Sequence, residues 1–265
     1  MAVQSSQVDA VSELQNSFRV LFANWTLAVP TALVSLAAAA FFAFMIAGVL
    51  ATVGAAGMMG GVHPGAAGAL LGAGGLGLAV GFIVIVLLSI LANATVIGAS
   101  ENVWQGQPAD LAGGFSRALS KLGPLILLFF LAIIISIVCG LLVLALGLGF
   151  LVGAFLLFFF MYTLPAIVVG NRGATEALGE SWGLVRSNFG PSIIAFLGIV
   201  VVTIVGQIII NLFHAIPLLM IVISFVVGGL TSAYAALVTV RFYDLLSGAR
   251  RAVVTPPPAS TMPRP

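Results

Sequence analysis

The chain has 265 residues, of which 62% are hydrophobic and 6% charged, with a mean hydropathy of +1.27. Soluble domains carry about 25% charged residues, so composition excludes a water-soluble globular fold and makes the bilayer the solvent. A net charge of +2 gives no basis for a nucleic-acid partner.

The first element, near residues 8–25, is amphipathic. Leu14, Phe18, Leu21 and Trp25 share one helical face, opposite Glu13, Gln15, Asn16 and Arg19. Six apolar segments follow, near 27–50, 76–99, 124–143, 148–169, 191–213 and 218–240. Each reaches the ~20 residues that a helix needs to cross the hydrocarbon core. The first is long and follows a polar stretch, so it reads as a retained span rather than a signal peptide. The Gly/Ala/Met stretch 51–75 predicts a mobile loop or a segment at the outer headgroup level. Short links at 144–147 and 214–217 predict two tight helical hairpins. Further amphipathic helices are expected near 109–122 and 174–189, ahead of the third and fifth spans. Pro165, late in the fourth span, predicts a kink. Residues 1–252 then form a single domain, and 253–265 a disordered, Pro-rich tail.

The three amphipathic segments align without gaps. Leu14, Phe18, Leu21 and Trp25 recur 164 positions later as Leu178, Trp182, Val185 and Phe189. The middle copy is Leu111, Phe115, Ala118 and Leu122, at an offset of 97 from the first. Ser17 and Ser181, Asn24 and Asn188 obey the 164 offset, and Gly123-Pro124 and Gly190-Pro191 match at 67. The pattern predicts an all-α, polytopic membrane protein with six transmembrane helices in three hairpin repeats. Each repeat is preceded by a cytoplasmic amphipathic helix lying in the interface. Four apolar side chains buried in lipid would contribute roughly 6–12 kcal/mol per helix before ordering costs. Trp25, Phe115, Trp182 and Phe189 are the expected interface anchors.

All nine Lys and Arg and all seven Asp and Glu fall before the first span, after the sixth, or in the even-numbered gaps. The odd-numbered gaps hold only His63 and His214. Basic loops mark the cytoplasmic side, so both termini are expected there. Arg117, Lys121, Arg172 and Arg186 are the expected lipid-headgroup contacts, and Glu101 a structural ion-pair partner for Arg117 or Lys121.

No constellation for catalysis emerges. The two histidines lie on the opposite side from every carboxylate, about 30 Å away. That separation defeats a metal site or a Ser-His-Asp triad, so neither metal nor cofactor is expected. Cys139, the only cysteine, falls in an apolar run and reads as a packing residue. No predicted span holds an Asp, Glu, Lys or Arg, which argues against proton-driven transport. The remaining polar residues support interhelical hydrogen bonds or, alternatively, a small pocket lined by Asn93, Gln207 and Asn211. Gly228, Ser232 and Ala236 on the sixth span, and Gly149 and Gly153 on the fourth, read as close helix contacts.

The run Pro165-Ala166-Ile167-Val168-Val169, then Gly173-Ala174-Thr175-Glu176-Ala177-Leu178, Ser181-Trp182 and Leu184 to Phe189 resembles a pattern of bacterial six-span proteins. These are the YciC-like proteins and the membrane domain attached to some glycerophosphodiester phosphodiesterases. The closing stretch 235–246, with Phe242-Tyr243-Asp244, is similar to theirs. The resemblance implies a multi-pass protein of the bacterial cytoplasmic membrane linked to envelope or lipid homeostasis. It brings no catalysis, because the phosphodiesterase activity belongs to a separate soluble barrel. The expected function is non-enzymatic, a lipid-interacting or scaffolding component. Its expected partners are membrane lipids, with a membrane-protein partner or a homo-oligomer. A transporter or channel for a small or lipid-like substrate is the alternative.

Overall fold

The computed structural model describes residues 9–58, 64–146, 149–213 and 215–248. His63, His214, Arg250, Arg251, Arg264, the tail 253–265 and the side chain of Cys139 lie outside the described residues. Among those described, the backbone is helical with no strand. α1 spans Ala10–Ala23 and a 3-10 turn, Trp25–Ala28, leads into α2 (Val29–Met58). α3 (Pro64–Trp104), α4 (Leu111–Ser120), α5 (Leu122–Leu146), α6 (Gly149–Phe159) and α7 (Thr163–Val168) follow, then α8 (Ala174–Ser187), α9 (Phe189–Leu212) and α10 (Pro217–Ser247).

Among the described residues five segments are long and apolar enough to cross a membrane, and six if α4 and α5, bent by 73°, count as one. This is a multi-pass membrane protein. The stretch 51–75 corrects the sequence reading, because α2 runs on to Met58 and α3 begins at Pro64. Glycine costs a helix about 1 kcal/mol in water. Alanine, the best helix former, is interspersed with the glycines here and offsets part of that cost.

The short helices start and stop for identifiable reasons. The Asp9 carboxylate accepts from Ser12 N–H at 3.3 Å and Asp110 from Gly113 N–H at 2.9 Å. Glu176 accepts from Gly173 N–H at 3.3 Å. α1 and α8 end at Asn24 and Asn188, with φ/ψ of −128°/48° and −128°/49°. Each Asn side chain donates back to the carbonyl four residues earlier, Val20 at 3.1 Å and Leu184 at 3.2 Å. The chain turns at Lys121 and Asn188. Pro124 and Pro191 sit in the first turn of α5 and α9, where a missing N–H costs nothing.

Pro165 breaks the fourth apolar segment one turn upstream, between α6 and α7. The break is healed from α8. Ser181 Oγ donates to Phe159 C=O at 2.8 Å and accepts from Tyr162 N–H at 3.1 Å. One buried hydroxyl thus satisfies two of the backbone groups that the break leaves without a helical partner.

The packed core lies at the charged end of the bundle. It joins Val96 to Ser100 of α3, Tyr162 and Ile167 around α7, and Leu237, Val240, Phe242 and Tyr243 of α10. At the opposite end side chains stay exposed, Phe44 by 77% and Leu212 by 73%. α1, α4 and α8 form a collar around this core. Their inward stripes are mostly small, with one larger aliphatic each on α1 and α8: Ala10, Ser17 and Leu21; Gly114 and Ala118; Ala174, Ala177, Ser181 and Val185. Leu21 and Val185, expected on a lipid-facing stripe, are therefore packed inside the protein, and Phe18 rests on Tyr234 with ring centroids 4.3 Å apart. Small residues bring these helices against the bundle, and the large aromatics are left outside.

The expected glycine contacts shift as well. A Cβ at Gly228 or Gly153 would meet nothing within 4 Å. The close approach lies at Gly229, where a Cβ would come 2.8 Å from the Ala28 carbonyl.

Candidate functional site

The collar is tied together by charge. Arg241 of α10 donates to both carboxylate oxygens of Glu13 on α1, at 2.7 and 2.9 Å. Its guanidinium lies 5.0 Å from the Trp104 ring, and Trp104 Nε1–H donates to Leu237 C=O at 3.1 Å. α1, α3 and α10 therefore meet at one bidentate, stacked arginine. On α4, Arg117 pairs with Glu101 of α3. Lys121 donates to Asn171 Oδ1. Asn171 holds a φ of 56°, a left-handed conformation that asparagine tolerates. Arg172 Nε donates to Glu180 at 2.8 Å, and Glu180 accepts from Tyr243 Oη at 2.9 Å. The Arg172–Glu180 hydrogen bond, with the charge of Glu180 behind it, holds the Arg172 guanidinium above its ordinary pKa.

Of the four basic residues expected to contact headgroups, Arg117, Lys121 and Arg172 are thus engaged inside the collar. Arg186 is exposed and makes no hydrogen bond or ion pair among the described residues, and Arg19 on α1 is placed likewise. Spacing alone could not reveal this, because the partners of Arg172 and Lys121 depend on how the α7–α8 corner folds.

The anchors divide the same way. Trp25, Phe115 and Phe189 are exposed, Trp25 by 63%. Phe189 also meets Phe158 edge-to-face, with centroids 5.5 Å apart. Trp182 stacks on Phe159 with centroids 4.2 Å apart and has Phe155 at 6.0 Å, so it holds α8 to α6. A Trp182→Ala and Phe159→Leu double-mutant cycle, read by SDS-titration unfolding, should give a coupling of about 0.5–1.5 kcal/mol. A coupling near zero would mean the rings merely share a surface.

The expected polar pocket takes a different form. Gln207 and Asn211 are exposed on α9 and do not join Asn93. Asn93 instead faces α10, where Ser232 Oγ donates to its Oδ1 at 2.9 Å. It lines a cavity of about 100 Å³ together with Thr31, Ser35, Ser89 and Gly228. Sequence spacing does carry that signal, since Thr31 and Ser35, Ser89 and Asn93, and Gly228 and Ser232 are each four residues apart. A second cavity, about 440 Å³ and almost wholly apolar, separates α1 from α9 beside Tyr234. Among the described residues no three His, Cys, Asp or Glu side chains are grouped to hold a metal.

A family described as a domain of unknown function, DUF7847, matches residues 91–246. The match spans Asn93 and Ser232, the three engaged basic residues and Arg241, and leaves out α1 and α2. No curated protein and no solved structure matches the chain.

Proposed function

The chain belongs to the DUF7847 family, and we propose that it is a non-enzymatic, lipid-interacting scaffold of the bacterial cytoplasmic membrane, serving envelope homeostasis. In this reading six spans form three hairpin repeats, both termini are cytoplasmic, and the collar lies at the inner headgroup level. The repeat is supported by equal burial at equal offsets. Ala10, Ser17 and Leu21 correspond to Ala174, Ser181 and Val185 at 164, and Gly114 and Ala118 continue the series at 97. The shared backbone angles of Asn24 and Asn188 support it further. The stretches that resemble YciC-like proteins, 165–189 and 235–246, both lie within the family match.

One observation carries the lipid reading. The outer face of the collar combines exposed aromatics, Phe22, Trp25, Phe115 and Phe189, with Arg19 and Arg186, which have no partner among the described residues. Aromatic rings at the headgroup level beside free guanidinium groups are the chemistry of an anionic lipid surface. At about 1 kcal/mol per basic residue near such a surface, two arginines correspond to roughly a 30-fold preference for anionic over neutral lipid. Native mass spectrometry of the purified full chain should find co-purifying anionic phospholipid. Arg19→Glu with Arg186→Glu should lose most of it without loss of folding. Equal retention in wild type and double variant would overturn the reading.

A second reading, a transporter or channel for a small substrate, is favoured by the polar cavity at Asn93.

A further inference from the structure

The cavity between α2, α3 and α10 is polar in an unusual sense: its hydroxyl protons are already committed elsewhere. Thr31 Oγ1 donates to Ala28 C=O at 3.2 Å, Ser35 Oγ to Thr31 C=O at 2.9 Å and Ser89 Oγ to Ile85 C=O at 2.8 Å. Ser232 Oγ donates to Asn93 Oδ1, and Asn93 Nδ2 to Ser89 C=O at 2.8 Å. Each hydroxyl oxygen keeps lone pairs, while the one donor left over is the second amide proton of Asn93. The polar half of the lining is therefore almost all acceptor, while Val34 and Ala92 supply apolar wall beside it. No Lys or Arg occurs in the three helices near this level, so nothing cationic neutralises it.

A packed apolar core would have closed a gap of this size with an alanine or leucine. Here five polar side chains from three helices converge on about 100 Å³. That volume holds about three water molecules at ~30 Å³ each, and is too small for a phospholipid headgroup. Thr31 is buried at its floor and Ser35 is exposed at its mouth, so the site opens on one side. Rings of neutral oxygens replace the hydration shell of monovalent cations in membrane proteins without any carboxylate.

We infer that this cavity is a binding site for a small monovalent cation, of sodium or ammonium size, held by neutral oxygens and part of its hydration water. Thr31, Ser89, Ser232 and Asn93 Oδ1 supply the oxygen shell, and Ser35 marks the entrance. Binding requires no transport, and it is independent of the lipid contacts of the collar.

The test is thermal unfolding of the full chain in detergent, followed by tryptophan fluorescence. Sodium, ammonium or potassium chloride is titrated against choline chloride at constant ionic strength. At least one of the small cations should raise the melting temperature saturably, by about 3 °C or more over choline. Ser232→Ala and Asn93→Leu should lose most of that rise while melting cooperatively in choline. Asn93→Asp, which adds a carboxylate to the shell, should lower the half-saturating concentration at least tenfold. Equal melting in all four salts would mean the cavity holds water alone and would overturn the inference. So would a rise that survives Ser232→Ala, or an Asn93→Asp variant with unchanged half-saturation. Should Asn93→Leu fail to fold, the other two variants decide.

Discussion

Gly114→Ala should destabilise the protein by about 1–3 kcal/mol, even though alanine is the better helix former by about 1 kcal/mol. The two effects oppose each other, and the geometry decides the sign. A Cβ at Gly114 would lie 2.5 Å from the Thr95 carbonyl oxygen and 2.9 Å from the Ala99 backbone nitrogen. Both are main-chain atoms of α3, so no rotamer change relieves the overlap. α4 can only back away, separating Ala118 from the core and stretching the Arg117–Glu101 pair. Gly98 faces the same crossing, with its own Cβ position 3.1 Å from Gly114 Cα. Gly179 and Gly183 on α8 provide the control, because a Cβ there meets nothing within 4 Å. Gly179→Ala should be neutral or stabilising by up to ~1 kcal/mol. SDS-titration unfolding of the two variants separates the cases: equal stability would show that α4 does not dock backbone-to-backbone on α3.

Arg241→Met should cost about 3 kcal/mol, at the lower edge of the range for breaking a buried ion pair. The reduction reflects partial exposure, since the Arg241 and Glu13 side chains are 23% and 19% accessible. Two losses combine. Glu13 keeps its charge in a poorly solvated position, and Trp104 loses the cation over its ring. A cycle with Glu13→Gln should return a coupling of at least ~1.5 kcal/mol. Arg241→Lys should recover only part of the stability, because an ammonium cannot make the bidentate contact. Hydrogen exchange should quicken along α1 in Arg241→Met before it does in α9. Additive single effects, with α1 exchange unchanged, would demote the pair to a surface contact.

The helices themselves were legible because hydrophobic length and period are local properties. Asn24, Lys121 and Asn188, the points where short helices give way to long ones, occupy equivalent places in the aligned spacing. What spacing could not resolve is which face of a short helix meets protein and which meets lipid. Leu21 and Phe22 are adjacent and both apolar, yet one is 3% and the other 68% exposed. The usable signal was size rather than polarity, since Ala10, Ser17, Gly114, Ala118 and Ser181 mark the inward stripe. Glu13 and Arg241 stand 228 residues apart, and no local pattern connects them. The separation of Gln207 and Asn211 from Asn93 has a related reason. Gln207 and Asn211 were grouped with Asn93 by depth, but rotation about the α9 axis carries them outward. Depth is readable from hydropathy, whereas azimuth emerges only from packing.

The position of α10 in the chain bears on how the protein is made. It supplies the largest share of the buried core, and it packs against α1, α2, α3, α7 and α9. Among the described helices it is also the last to leave the ribosome. Between the emergence of Trp104 and that of Arg241, synthesis at about 5–20 residues per second takes on the order of ten seconds. Throughout that interval Glu13 is without its guanidinium and the inner stripe of α1 without its seat. The N-terminal helices must therefore wait in the bilayer incompletely assembled, and chains truncated before Arg241 should be cleared by membrane proteases. Emergence of α10 and locking of the N-terminus are then a single event.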